Sequence, residues 1–324
     1  MNILAKAGAI EREAHWAFHG GALRTKRCRV SPKWAALPGQ FFSVTPSIFE
    51  RYETHRKEQR QRAMESHEGN MAFWDDIQHL SLHPDYVAAI PHFSPSEWKK
   101  RMAWSHSIHH INRSDFDFTD GHRVGRIYTT FCSTPSLLRR YALLDGAPVV
   151  GIDVKCSQPF LHGTLLGACE EKDRFMASVL SGNFYEDIGE ASGIVADIPR
   201  KKLKEMVFGQ VFYGRNRFDD IAPLWTAFTR LYPQFAAAIT EKKLTDYRAL
   251  SIEMQDLEAK IVLRDAVPAL RQAVPGIRVL TVHDAIYVAP QHVDNAKAAL
   301  KQAFLRKTGY SPALAEQPSA IVSH

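Results

Sequence analysis

Cysteine is scarce: Cys28, Cys132, Cys156 and Cys169 are the four in 324 residues. No Cys-x-x-Cys pair occurs, so neither a zinc ribbon nor a disulfide framework is suggested. Reduced thiols in a cytoplasmic protein are expected. Long apolar runs are also missing. No stretch reaches the roughly 18 uninterrupted apolar residues that would argue for a membrane span. The start, Met-Asn-Ile-Leu-Ala-Lys, reaches Glu11 and Arg12 without the apolar core of a secretory signal. There is no internal repeat and no long low-complexity linker. With 45% hydrophobic and 23% charged residues, the composition argues against long-range disorder. Acids are outnumbered: 41 Lys and Arg against 35 Asp and Glu leave a formal charge of +6. That balance suits a polyanionic partner without requiring one.

A basic patch at Arg24, Lys26, Arg27 and Arg29 lies in an otherwise mixed N-terminal stretch. The polar run from Ser47 to about Ser66 reads as a solvated helix. Residues 93–113 interleave aromatics and bases, and Ser94 before Pro95, or Ser96 before Glu97, offers a helix cap. His106, His109 and His110 in that stretch invite a metal reading. No acid or cysteine stands at a familiar ligand spacing, so a surface helix with polar histidines is expected.

From Gly121 the pattern changes. RRYALL, the turn Asp145-Gly146-Ala147-Pro148 and VVGIDV predict two strands joined by a tight connection. Helices are expected over 159–182, over Pro199–Phe212, along the apolar stripe from Phe218 to Ile239, and through Leu250, Met254, Leu257 and Ile261. Arg278–Val282 and Ala285–Val288 predict a hairpin with His283-Asp284 at its tip. A last helix through Ala296, Leu300, Ala303 and Phe304 closes near Gly309. The fold class is α+β: an antiparallel sheet interrupted by a helical insertion.

Two carboxylates carry the chemistry. Asp153 ends a strand and Asp284 sits at the hairpin tip. A carboxylate at the end of an apolar strand is costly to bury unless it is paired or binds a cation. Two on neighbouring strands make an oxygen-rich site suited to Mg²⁺. Such a site can activate a hydroxyl and stabilise a leaving pyrophosphate. Between them lies PRKKLKEMVFGQVFYG, in which Arg200, Lys204, Phe208 and Phe212 follow one another at intervals of four on one helix face. Cations early in a helix oppose its dipole, so their placement asks for an anionic partner. Cations for phosphates and an aromatic ring for a base suit a nucleoside triphosphate.

Asp153, then Arg200-x3-Lys204-x3-Phe208-Gly209 with Tyr213-Gly214, then His283-Asp284, resembles motifs A, B and C of family A DNA polymerases and of the single-subunit phage-type RNA polymerases. Gly125-Arg126 with Thr129-Thr130 resembles the segment that contacts primer–template duplex, and Gln255-x2-Glu258 the helix whose Gln approaches the growing end. The resemblance implies a right-hand palm with a helical fingers insertion. Its implied layout is a mostly helical N-terminal region over 1–120, first palm part over 121–170, fingers over 171–245 and second palm part over 246–324. It implies two Mg²⁺ ions, replaceable by Mn²⁺, on Asp153, Asp284 and the Val154 carbonyl. Arg200 and Lys204 would hold the triphosphate, with Lys204 protonating the pyrophosphate. Phe212 or Tyr213 would stack near the nascent pair, with Phe208 and Gln158 also at the nucleotide. Arg126, Thr129, Thr130, Gln255 and His283 would meet the nucleic acid. The implied partners are DNA template, primer or nascent strand and nucleoside triphosphates, with a helicase or single-strand-binding protein as a further partner and no membrane.

The chain departs from the family pattern in three places. The Tyr of Tyr-Gly is ninth after the Lys, where the family has it eighth, so the stacking ring is either Phe212 or Tyr213. Cys156-Ser157 is closer to the RNA enzymes, and Gln158 replaces the Glu that screens the sugar 2′ position in DNA enzymes. The length resembles the compact primase-polymerases of mobile elements, so short products and unprimed initiation are expected. A two-metal nuclease and a degenerate palm kept for nucleic-acid binding are the rival readings. The first has no use for the Arg-Lys-Phe-Phe face, and retention of both Asp153 and Asp284 argues against the second.

Overall fold

The computed structural model describes residues 46–324 except 122, 195–197, 216–221 and 322–324, and before them only four short strands. Arg24, Lys26 and Arg27 of the basic patch, and the start of the stripe at Phe218, lie outside the described residues. The chain divides into two compact units, Met1–Thr54 and His55–His324. In the first, β1 (Ile10–Arg12), β2 (Phe18–His19), β3 (Ala22–Leu23) and β4 (Cys28–Val30) pair antiparallel, β1 with β4 and β2 with β3.

The polar run after Ser47 is helical as its composition predicts, in α1 (Pro46–Glu65), followed by α2 (Asn70–Ile77). Strand β5 (Leu80–Leu82) comes next. The aromatic and basic stretch forms α3 (Trp98–Asn112) behind a short turn of 3₁₀ helix. Ser94 and Glu97 make a reciprocal capping box there, satisfying two backbone donors at the helix start. Strands β6 (Phe118–Asp120) and β7 (Ile127–Thr129) pair as a hairpin. Then β8 (Ala142–Leu144) turns through Asp145 and Gly146, both at positive φ, into the two-residue β9 (Ala147–Pro148).

The connection expected to lead straight from RRYALL into VVGIDV is therefore split between two sheets. Its second half is β10 (Val150–Val154), the central partner of a four-stranded antiparallel sheet. That sheet has the order β11 (Leu280–Val282), β12 (Ala285–Val288), β10, β13 (Leu314–Gln317). Gly151 sits opposite Tyr287, and a Cβ at Gly151 would lie 2.6 Å from the tyrosine ring, so only glycine allows this ring to cross the strand.

Helices cover the sheet. After β10 come α4 (Ser157–His162), α5 (Glu170–Ser181), α6 (Phe184–Ser192) and α7 (Arg200–Val207). The single helix expected over 159–182 is broken at 166–169, and Cys169 caps the second piece. The stripe to Ile239 is two helices, α8 (Pro223–Leu231) and α9 (Pro233–Lys242). Tyr232 precedes Pro233 and is forced out of helical geometry (φ −137°, ψ 66°). There follow α10 (Ala249–Ala259), a π-helical stretch at Lys260–Ala266, α11 (Val267–Ala273) and α12 (Val293–Thr308). One apolar core joins sheet and helices, with Phe175 stacked on Phe235 at 4.2 Å and Phe160 edge-on to Phe304 at 5.7 Å. Buried Asp76 ties α2 to the β11 edge by accepting from Arg271 (2.6 Å) and the Val279 backbone (3.0 Å).

Candidate active site

The sheet register sets the two aspartates side by side. Asp153 on β10 is opposite Ala285 on β12, so Asp284 is one residue past that pair. The hairpin tip takes two residues, and His283 adopts φ 55°, a left-handed conformation that a non-glycine residue holds at a cost of order 1–3 kcal/mol. Burial raises the carboxyls of both Asp153 and Asp284 above the usual range. Glu258 on α10 raises both further, and Asp153 adds to the effect on Asp284. Three carboxylates thus repel one another at one end of the sheet. Glu258 commits its oxygens to Arg126, Ser157 and Gln158, so Asp153 and Asp284 are the pair left to fit a hard divalent cation, which would relieve the repulsion.

Lys204 supplies the opposing charge and lowers both carboxyls. It stands at the end of α7, with its ammonium 6.0 Å from the Tyr185 ring and 5.6 Å from the Phe208 ring. Arg200, a turn earlier, is tethered by the Gly182 carbonyl (2.7 Å) and by Glu186. Lys204 and Tyr185 line two adjoining hollows. One, of about 410 Å³, holds Lys155, Cys156 and Arg200. The other, of about 260 Å³, holds Asp284, His283, Glu258, Gln158, Arg126 and Tyr213. Phe208 and Gln255 line the second as well.

Backbone geometry decides which of Phe212 and Tyr213 faces the cleft. After Val207 the helix widens into a π-helix over Phe208–Phe212, and the Tyr213 N–H donates to the Phe208 carbonyl at 2.7 Å. A π turn absorbs one extra residue. Tyr213 therefore keeps the cleft face although it is ninth after Lys204, and it stacks on Phe208 with the ring planes 4° apart. Phe212 turns into the core, fully buried against His162 (4.1 Å) and Phe184 (6.0 Å), and does not line the cleft. Two contacts lock the turn. Lys243 donates to the Val211 (2.8 Å) and Gly214 (3.0 Å) carbonyls, and burial pushes its ammonium down to about 8. A Cβ at Gly214 would lie 2.0 Å from the Gly209 carbonyl oxygen, so the chain can close only on glycine.

Glu258, which the sequence offers only as the end of Gln255-x2-Glu258 and without a role, organises the cleft. It is 1% exposed. It pairs with Arg126 and accepts from the Ser157 hydroxyl (3.2 Å) and the Gln158 amide. Gln158 in turn accepts from the Tyr213 hydroxyl at 2.7 Å. The signal for it is positional: four residues after Met254, Glu258 falls on the buried stripe of its helix, where a carboxylate needs a reason.

The other expected residues are placed as follows. His283 packs edge-on to Tyr128 at 6.0 Å, and burial, with Arg126 and Arg139 nearby, pushes its imidazole down to about 4. Thr129 caps a one-turn helix by accepting from the Cys132 N–H (3.3 Å). Thr130 is buried, and its hydroxyl accepts from the Asp117 N–H at 2.8 Å, so that oxygen is committed to the fold. Val154 ends β10 with its side chain in the core.

The fold is similar to that of a known polymerase domain. The chain is similar in structure to the POL domain of Pol1 from M. smegmatis, solved in complex with DNA primer-template and dNTP. The TM-score is 0.51 at 10% sequence identity, over 69% of this chain and 51% of that one, so this chain spans about half the length of that domain. No family model and no curated protein matches the sequence. Among the described residues no helix is long and apolar enough to cross a membrane.

Proposed function

We propose that the chain is a template-directed nucleotidyltransferase that extends a DNA strand from nucleoside triphosphates. The observation that carries this reading is the convergence of Asp153, Asp284 and Glu258 at a sheet end that faces Lys204 and Tyr213, on a polymerase-domain fold. The layout of palm over 121–170 and 246–324, with fingers over 171–245, belongs to this proposal.

Asp153, Asp284 and the Val154 carbonyl would hold Mg²⁺ or Mn²⁺. A pair of such ions supplies Lewis-acid stabilisation of the attacking and leaving oxygens. The residues do the rest. Lys155, Arg200 and Lys204 receive the β and γ phosphates in the larger hollow. Tyr213, braced on Phe208 and held by Gln158, is the platform for the nascent base pair. Arg126, Gln255 and His283 approach the growing end. As the strand's 3′ hydroxyl gives up its proton to water and its oxygen bonds the α phosphorus, the bond from that phosphorus to the bridging oxygen breaks, and Lys204 gives its proton to the departing pyrophosphate. A positioned acid of this kind contributes about 10²–10⁴-fold.

Incubation with primed template, Mg²⁺ and labelled nucleotides tests the reading. Extension is expected, and Asp153→Asn and Asp284→Asn should each abolish it while DNA binding persists, because an amide is a poor ligand for a hard cation. Near-wild-type incorporation by either variant removes that aspartate from the site, and shortening of the primer shows a nuclease instead. Initiation without a primer is the finer part of the proposal and rests on Cys156-Ser157-Gln158. Unprimed single-stranded DNA with γ-labelled triphosphates should give short 5′-labelled products. Robust primer extension without any labelled product refutes that part alone.

A further inference from the structure

We propose that His106, His110 and Asp117 form a second, separate cation site, for a borderline transition metal such as zinc. Spacing in the sequence offers these histidines no acid, but the fold does. Asp117 returns from beyond the end of α3 to the face that carries His106 and His110, and the three ligand atoms lie within 4.8 Å of one another. The two imidazoles are four residues apart on the helix, with ring centroids 4.1 Å apart.

The surroundings fix the ligands as a metal site requires. The Asp115 carbonyl stands 2.6 Å from Nδ1 of His110 and can only accept, so Nδ1 carries the hydrogen and Nε2 the lone pair. A carbonyl behind a ligating histidine is the usual outer support. Asp117 is held at its backbone by Thr130. Its carboxylate is held by Arg56, whose Nε (2.9 Å) and Nη2 (2.8 Å) both meet Oδ1, which leaves Oδ2 for an ion. Arg56 also grips Asp115 at 3.0 Å. His110 is buried, Asp117 half-buried and His106 exposed, which gives one open side for entry and for a water as fourth ligand.

Two imidazoles and one carboxylate favour zinc over Mg²⁺. Tetrahedral zinc, with bonds of about 2.0–2.1 Å, sets its ligand atoms roughly 3.4 Å apart, so the cluster must contract by about 1 Å, chiefly by rotation of exposed His106. Arg56 and Arg60 offset Asp115 and Asp117, Arg60 from 4.0 Å. The ion thus enters a site without net charge, and micromolar rather than nanomolar affinity is expected. Its effect would be to pin the end of α3 to the segment entering β6.

The test is calorimetric titration of the full chain with zinc alone, in excess Mg²⁺ so that the carboxylates around Asp284 are occupied. One equivalent should bind at micromolar concentration and raise the melting temperature. His106→Ala, at an exposed position, should keep the fold and weaken binding by about tenfold or more. His109→Ala, an exposed neighbour outside the cluster, should bind as wild type does. Wild-type binding no tighter than that of His106→Ala overturns the proposal. So does equal weakening in His109→Ala, which would mark loose chelation by surface histidines.

Discussion

At residue 158 glutamine and glutamate differ by one charge, and Glu258 decides between them. The Gln158 amide donates to Glu258 while its oxygen accepts from Tyr213, so both ends are used and the orientation is fixed. One of its two amide N–H groups is thus committed to Glu258. A glutamate at 158 would set a second carboxylate against the first in a half-buried place. We expect Gln158→Glu to cost about 2 kcal/mol at neutral pH, of the order seen for disrupted buried polar networks. The pair would hold a shared proton, raising a folded carboxyl above its unfolded value of about 4.3. The native state then binds more protons than the unfolded chain above that value, so the variant loses stability as pH rises. Urea denaturation of both proteins at pH 4.5 and pH 8 checks this. A deficit that does not grow with pH would show that charge is not the reason for glutamine.

At the scale of elements, the widened turn after Val207 is what aims Tyr213. Gly214 is its narrowest point, with Gly209's carbonyl oxygen 2.0 Å from where a Cβ would be. Because the obstacle is backbone, no side chain can rotate away. Gly214→Ala should push Tyr213 off Phe208 and Gln158, lower stability by about 1–3 kcal/mol and reduce nucleotide incorporation. Melting temperature and primer extension measure the two effects, and a variant with both unchanged would show that the turn has slack. This element also marks where sequence reading stops. The four-residue spacing from Arg200 to Phe208 is legible because an α-helix enforces it, and the hairpin tip at His283-Asp284 is legible from the β-rich runs on either side. A π turn has no propensity signature, so sequence alone leaves open which ring faces the cleft. Strand β13 is equally silent: Leu-Ala-Glu-Gln lacks alternation, and it becomes a strand only by pairing along β10 beside Asp153. The Glu258 network joins residues 132 and 101 positions apart, a separation that no local pattern encodes.

For the whole molecule, the site is bonded to the core through His162, and this makes stability depend on pH. His162 is fully buried, lies 4.1 Å from Phe212 and contacts the Gln158 carbonyl at 2.6 Å. That carbonyl can only accept, so Nδ1 donates, which favours the charged form, but burial outweighs it. Burial pushes its folded pKa down to about 3 from 6.5. Between those values the unfolded chain binds a proton that the native chain refuses, so the unfolded state gains as pH falls. The contribution is fully present above 6.5 and is lost on acidification at about 1.4 kcal/mol per pH unit. Acidification from pH 7 to pH 5 should therefore cost about 2 kcal/mol from this group. Asp153 and Asp284 act in the opposite direction, since their raised carboxyls favour the native state at low pH, but they do so equally in a protein that lacks the imidazole. His162→Leu isolates the term. The variant starts less stable at pH 7 because the bond to Gln158 is gone, yet it should lose about 2 kcal/mol less than wild type between pH 7 and pH 5. Urea midpoints at the two pH values give that difference directly. Parallel losses would mean that His162 takes up its proton in the folded protein, and that the core beneath Gln158 is wetter than the packing of Phe212 and Phe184 implies.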